Sequence, residues 1–255
     1  MAHPIVLITG ASAGIGAACA RAFARAGYDL ILIARRKERL EALAQELSGA
    51  SSGRVLPLAL DVRDRRAVEE TLGRLPADWS AVEVLVNNAG LGRGLDKLHE
   101  GDPGEWDEMV DTNVKGLLYV TRAVLPGMVA RGRGHVVQIG SVAGREVYPG
   151  GNVYCATKFA VKALSRAMKV DLLGTPIRVS TVDPGMVETE FSVVRFRGDR
   201  QRAAKVYEGL KPLSPEDIAD IVLWVVSRPP HVDITEVVVM PTAQSSATLA
   251  HRSQP

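Results

Sequence analysis

Short runs of Val, Ile and Leu alternate along the chain with longer stretches in which apolar positions recur every three or four residues. The short runs predict strands at residues 4–9, 28–34, 54–60, 82–86, 135–139, 177–182 and 236–240. In the first two, Ile5 to Ile8 and Leu30 to Ile33, the apolar residues are continuous rather than alternating. Strands covered on both faces of a parallel sheet read this way. Helical spacing predicts helices at 14–26, 37–47, 64–72, 105–130, 152–173 and 215–226, the last opened by Ser214 and Pro215 as cap and first-turn residue. Strand–helix alternation of this kind implies an α/β Rossmann fold, a doubly wound parallel sheet of seven strands with helices on both faces. One stretch breaks the rhythm: 191–213, after Pro184-Gly185, is basic and reads as irregular. An insertion there lies outside the carboxyl ends of the strands, where open α/β sheets bind ligands, so a substrate lid is expected.

Length and charge narrow the class. A chain of 255 residues fits one α/β domain, here a cofactor half (1–140) and a catalytic and substrate half (141–255). The 31 Lys and Arg nearly balance 29 Asp and Glu, a net charge of +2, so no strong attraction to a nucleic acid backbone is expected. Cys19 and Cys155 are too few for a disulfide framework, and neither sits in a ligand cluster. The histidines, His3, His99, His135, His231 and His251, are scattered, so no metal is expected. Residues 1–9 show no basic leader or cleavage site, and no stretch approaches roughly 18 uninterrupted apolar residues. A cytoplasmic protein without a membrane span is the expectation. The tail, 241–255, reads equally as a mobile end or as a segment packed on a neighbouring subunit.

The first predicted strand runs into Thr9-Gly10-Ala11-Ser12-Ala13-Gly14-Ile15-Gly16 and then a helix. Glycines there allow a sharp turn and close approach of backbone to a pyrophosphate, with the free N–H groups of the helix start aimed at it. Glycine clusters also serve ordinary turns, but strand, loop and helix coincide here, which points to a dinucleotide. After the second strand stand Arg35, Arg36 and Lys37, not the carboxylate that binds a free ribose 2′-hydroxyl. Guanidinium groups suit a 2′-phosphate, and a helix N-terminus is a poor place for idle cations, so NADP(H) is expected over NAD. Asp61-Val62 closes the third strand and Asn87-Asn88-Ala89-Gly90 the fourth. Asp61 is placed to accept from an adenine amino group and the asparagines to tie strand ends to the site, though both residue types are also common turn formers.

Ser141 follows the fifth strand, and Tyr154 and Lys158 are one turn apart on a predicted helix. An ammonium near a phenol favours the phenolate, making Tyr154 a usable acid and base, while a serine hydroxyl polarises the same oxygen. A surface Tyr and Lys at this spacing is common, so the pair alone is weak.

Jointly, Thr9 to Gly16, Asn87 to Gly90, Asn113, Ser141, Tyr154 with Lys158, and Pro184-Gly185 resemble, in order and spacing, the short-chain dehydrogenase/reductase family over almost the whole chain. The resemblance implies a homotetramer with Tyr154 as catalytic acid/base and Lys158 binding the nicotinamide ribose. It further implies that Ser141 orients the carbonyl and Asn113 holds a water in a proton relay. The cofactor contacts it implies are Gly10, Ser12, Gly14, Ile15, Gly16, Arg35, Arg36, Asp61, Val62, Asn88, Ala89, Gly90, Tyr154, Lys158, Pro184, Gly185, Val187 and Thr189.

Segments 121–128, 150–154, Glu190-Phe191-Ser192, Val194-Arg195-Phe196, His231-Val232 and Met240-Pro241 resemble more narrowly the group of NADP-dependent 3-hydroxy acid dehydrogenases. That implies a small anionic hydroxy acid or aldehyde as substrate. A small anion needs a cation: Arg195, Arg197 and Arg145 are candidates, with Arg195 chosen and Tyr148 as its hydrogen-bonding neighbour. The rival readings are the same chemistry on sulfoacetaldehyde, a sugar, a ketone or a 3-ketoacyl ester, and a non-catalytic NADPH sensor. The charged segment Arg195, Arg197, Asp199, Arg200 and Arg202 disfavours large apolar substrates.

Overall fold

The computed structural model describes residues 3–49 and 52–253. The outermost residues of the chain-start and tail expectations, 1–2 and 254–255, lie outside them. Seven strands pair in parallel throughout: β1 (Ile5–Thr9), β2 (Asp29–Ala34), β3 (Val55–Ala59), β4 (Val82–Asn87), β5 (Gly134–Ile139), β6 (Ile177–Pro184) and β7 (Glu236–Val239). Their order, β3-β2-β1-β4-β5-β6-β7, reverses direction between β1 and β4. A cleft opens at such a switch point, outside the carboxyl ends of both strands.

Each face of the sheet carries its own core, because β1 and β2 alternate which side chains they send to each side. Val6, Ile8, Leu30 and Leu32 pack under α1 (Gly14–Arg25), α2 (Lys37–Ser48) and the last helix. Ile5, Leu7, Ile31 and Ile33 pack under α3 (Arg65–Gly73), a long helix through residue 131, and α6 (Asn152–Asp171). Continuous apolar strands are the consequence of covering both faces. The predicted helix at 105–130 is α4 (Pro103–Val110) and α5 (Leu117–Arg131), joined without a break by a π-helical turn, Asp111–Gly116, that contains Asn113. Such turns often occur at functional sites.

Residues 191–213 are irregular only in part. They include two short helices, α7 (Phe191–Arg195) and α8 (Arg200–Lys205), with turns between and after them. Arg197 and Gly198, both at positive φ, reverse the chain between them, and Asp199 caps the second by accepting from the Arg202 N–H. A bridge between Val187 and Leu213 closes the base of the insertion. The last helix, α9 (Pro215–Val226), begins with a reciprocal capping box between Ser214 and Asp217, so the cap and Pro215 stand where the spacing put them. The described part of the tail packs on its own chain. Gln244 accepts from the Met186 N–H, Arg252 donates to the Val206 carbonyl, and the Ser253 N–H donates to Gly209. No helix among the described residues is long and apolar enough to cross a membrane.

Candidate active site

A cavity of about 550 Å³ occupies the cleft. Its floor is the crest where β1 and β4 end. Thr9 joins them: its hydroxyl accepts from the N–H groups of Asn88 and Ala89, while Asn88 Nδ2 donates back to the Thr9 carbonyl at 2.9 Å. The glycine loop then turns through left-handed Gly10 and Gly14. Gly16 is required by contact. A methyl there would sit 2.4 Å from the Gly10 carbonyl oxygen and 2.5 Å from Asn88 Nδ2. Helix α1 follows Ala13 at its N-cap, with no side-chain cap and no acidic residue in its first turn. Its free N–H groups and positive dipole end are left for an anion, and this cradle fits a dinucleotide pyrophosphate.

At one end of the floor, Ser12 Oγ accepts from Nε and Nη2 of Arg36, at 3.1 and 3.0 Å. Arg35 lines the same region. Arg39, not singled out from the sequence, stands beside Arg36, and both donate to Glu190. The 36, 39 spacing on the opening turn of α2 was the available signal. Burial pushes the Asp61 carboxyl up, but hydrogen bonds from Arg63 outweigh it and hold the group below its ordinary range. Asp61 and Val62 line the cavity, as do Ser12, Ile15, Ala89, Gly90, Pro184, Gly185, Val187 and Thr189.

At the other end, Tyr154 and Lys158 sit one turn apart on α6, both buried. Ser141 opens a short turn after β5, accepts from the Ala143 N–H, and lines the cavity with Tyr154, whose ionised form it favours. Lys158 Nζ donates to the Ile139 carbonyl at 2.9 Å and lies 5.9 Å from the centre of the Tyr154 ring. Burial lowers the ammonium pKa to about 8, against the pull of Asp183. The expected lowering of the phenol is not what the geometry gives. Burial pushes Tyr154 up, and the groups opposing it are Arg195 and Ser141 rather than Lys158, whose ammonium is turned to a carbonyl. Asn113 is committed to Leu91, accepting from its N–H and donating to its carbonyl at 2.8 Å each, and donates also to Thr157. Its amide hydrogens are therefore used, while Oδ1 keeps one lone pair beyond its bond to the Leu91 N–H.

Three aromatic rings hold Arg195. Its guanidinium carbon is 4.7 Å from the Tyr154 ring centre, 4.9 Å from Phe191 and 5.8 Å from Tyr148. Nη2 donates to the Tyr148 hydroxyl at 2.9 Å, while Nε is buried with no hydrogen-bond partner. Arg93 supports the segment by donating to the Val194 carbonyl while paired with Glu108. The other two candidate cations lie elsewhere. Arg145 is engaged by Asp183 and Glu236, and Arg197 pairs with Glu105 on the outside. Neither lines the cavity. Cys19 and Cys155 are buried thiols, with burial pushing Cys19 up to about 12. Among the described residues no group of three His, Cys, Asp or Glu is placed to hold a metal ion.

The arrangement joins an anion cradle, a cationic end and a proton-bearing phenol beside a buried guanidinium. Comparison with known proteins agrees in character. The family described as short chain dehydrogenase matches residues 4–199. The chain is 52% identical over 251 residues to the NADP-dependent 3-hydroxy acid dehydrogenase YdfG of Salmonella typhimurium, covering 98% of this chain and all of that one. It is 44% identical over 250 residues to the NADP-dependent 3-hydroxy acid dehydrogenase of Schizosaccharomyces pombe, covering 98% and 96% of the two chains. The closed form of a serine dehydrogenase complexed with NADP+ superposes with a TM-score of 0.92 at 47% identity, covering 98% of this chain and all of the other.

Proposed function

Because the chain belongs to the short-chain dehydrogenase family, we propose that it interconverts a small 3-hydroxy acid, or a similarly small anionic alcohol, and its carbonyl form. It is an oxidoreductase of CH–OH groups that uses NADP. The observation that carries the substrate class is the Arg195 guanidinium, a cation that lines the cavity against the Tyr154 ring. A carboxylate paired with it brings the hydroxyl carbon, two bonds from the carboxyl carbon, toward the phenol.

NADP, when bound, accepts or supplies the hydride. Its pyrophosphate is assigned to the Gly10–Gly16 cradle and its 2′-phosphate to Arg36, with Arg35 and Ser12 alongside. Lys158 keeps two ammonium hydrogens beyond its bond to Ile139, and these are assigned to the nicotinamide ribose. Thr189 is assigned to the carboxamide. Tyr154 is the acid/base. Burial keeps its phenol protonated, which suits reduction: the Oη proton passes to the substrate oxygen, and Arg195 stabilises the phenolate left behind. Ser141, lining the cavity with the same phenol, orients that oxygen. The segment 191–213 roofs the substrate end. The protein is assigned to the cytoplasm as a homotetramer, with exposed Leu118 and Val129 on α5 and Phe159 and Val170 on α6 supporting a covered face.

The test is initial-rate oxidation of L-serine, L-allo-threonine, 3-hydroxypropionate and a neutral secondary alcohol, with NADP and with NAD, by wild type and Arg195→Ala. The variant is expected to raise KM for the anions roughly 10- to 100-fold, the size of a lost charge-assisted hydrogen bond, and to leave the neutral alcohol unchanged. Equal losses on both would remove Arg195 from substrate recognition.

A further inference from the structure

Glu190 stands between two parts of the molecule distant in sequence. It immediately precedes α7, the start of the roof, yet its carboxylate accepts from Arg36 Nη1 at 2.8 Å and from Arg39 Nη1 at 2.7 Å, residues 154 and 151 positions away on the floor. Ser12 holds the opposite edge of Arg36, so the guanidinium is oriented with Nη1 toward Glu190. All three ionic side chains are half-exposed, with relative exposures of 42% for Arg36, 50% for Arg39 and 45% for Glu190. Both arginines belong to the opening turn of α2, where the helix dipole disfavours cations and an anion is needed to balance them.

We infer that Glu190 is a built-in counter-anion for the cofactor's 2′-phosphate. Its carboxylate occupies donors of both Arg36 and Arg39 for which a 2′-phosphate competes, and the competition loosens the start of the roof. The inference rests on the assignment of the 2′-phosphate to Arg36. A phosphate monoester carries close to two negative charges at neutral pH against one for the carboxylate, so it wins the exchange. The ribose hydroxyl of NAD carries none and leaves Glu190 paired. The consequence reaches the substrate end through the next residue, because Phe191 packs on Tyr154 with ring centres 5.4 Å apart, and Arg195 closes the same short helix. Glu190 is thus a specificity-determining residue that couples cofactor choice to roof position.

The experiment titrates adenosine 2′,5′-bisphosphate and 5′-AMP calorimetrically into wild type, Glu190→Gln and Arg36→Ala, and follows amide hydrogen exchange over residues 191–198. Glu190→Gln is expected to bind the bisphosphate roughly three- to tenfold tighter, as removal of two competing exposed ion pairs implies, with 5′-AMP unchanged. In wild type the bisphosphate, but not 5′-AMP, is expected to speed exchange over 191–198, and in Glu190→Gln exchange is fast from the outset. If wild type prefers the bisphosphate, Arg36→Ala abolishes the preference and Glu190→Gln leaves binding unchanged or weaker, the counter-anion role is overturned and the 2′-phosphate assignment stands. If wild type shows no preference and Arg36→Ala changes nothing, both are overturned.

Discussion

The floor and the roof of the cleft are built from different materials. The floor is backbone and buried groups: the Thr9 hydroxyl joins two strand ends, glycine lets one loop cross another at contact distance, and the first turn of α1 offers bare N–H groups. The roof is held by side-chain ions and a few backbone contacts. Glu190 reaches Arg36 and Arg39, Arg93 reaches the Val194 carbonyl, and Arg197 reaches Glu105. A backbone floor has one shape and positions chemistry. A roof fastened by half-exposed ion pairs, each worth little and screened by salt, is free to exchange partners.

The sharpest way to break this contrast is to remove the phenol on α6 to which the acid/base role is assigned. Tyr154→Phe is expected to lower kcat by about 10² to 10⁴ while leaving KM for the anionic substrate within a few-fold, because Arg195 is untouched. A parallel rise in KM would mean that the phenol, not the roof, holds the substrate. The floor itself is tested by Gly16→Ala, whose methyl meets the Gly10 carbonyl at 2.4 Å. Urea unfolding is expected to show a loss of about 1–3 kcal/mol, with weakened NADP binding by fluorescence. Wild-type behaviour would show that the loop yields as readily as the roof.

The sheet under the floor makes a pH prediction. Burial pushes the His135 imidazole down to about 3, and its Nε2 pairs with Ser180. The folded protein keeps the ring neutral while the unfolded chain protonates near its ordinary value of about 6.5. Between those values the unfolded state binds the extra proton, so stability falls as pH is lowered from about 6.5 toward 3. The His135 contribution amounts to about 2 kcal/mol by pH 5. Denaturant midpoints at pH 7 and pH 5 check this, and His135→Gln should flatten the difference. The smallest effect is expected at the roof's outer edge. Arg197→Ala removes a pair between an exposed arginine and the largely covered Glu105, and should lower the melting midpoint only slightly and move neither Michaelis constant. A clear loss there would show that the roof is a rigid wall.

Much of the site was legible where the signal is local. The glycine loop stands out because strand, loop and helix follow within the first 26 residues, and Tyr154 and Lys158 because helical spacing alone puts them on one face. The roof was misread because basic composition hid two short helices, each capped or turned by a single residue, Asp199 and Arg197. Arg145 was a fair candidate by position between Ser141 and Tyr154. Only folding brings Asp183 and Glu236 against it from β6 and β7.

By itself, then, the chain's pattern determined the seven strands, the doubly wound order of layers, the anion cradle and the spacing of the proton-bearing pair. These depend on periodicities of two and 3.6 residues and on turns that close within a few positions. Tertiary structure alone decided which charges meet, which way burial moves Tyr154 and Lys158, that Asn113 is committed to Leu91, and that the tail straps its own roof. Ion pairing and desolvation depend on distance in space and on what covers a group. Glu190 and Arg36, 154 residues apart in sequence and 2.8 Å apart in the fold, carry no mark of one another until the sheet brings them together.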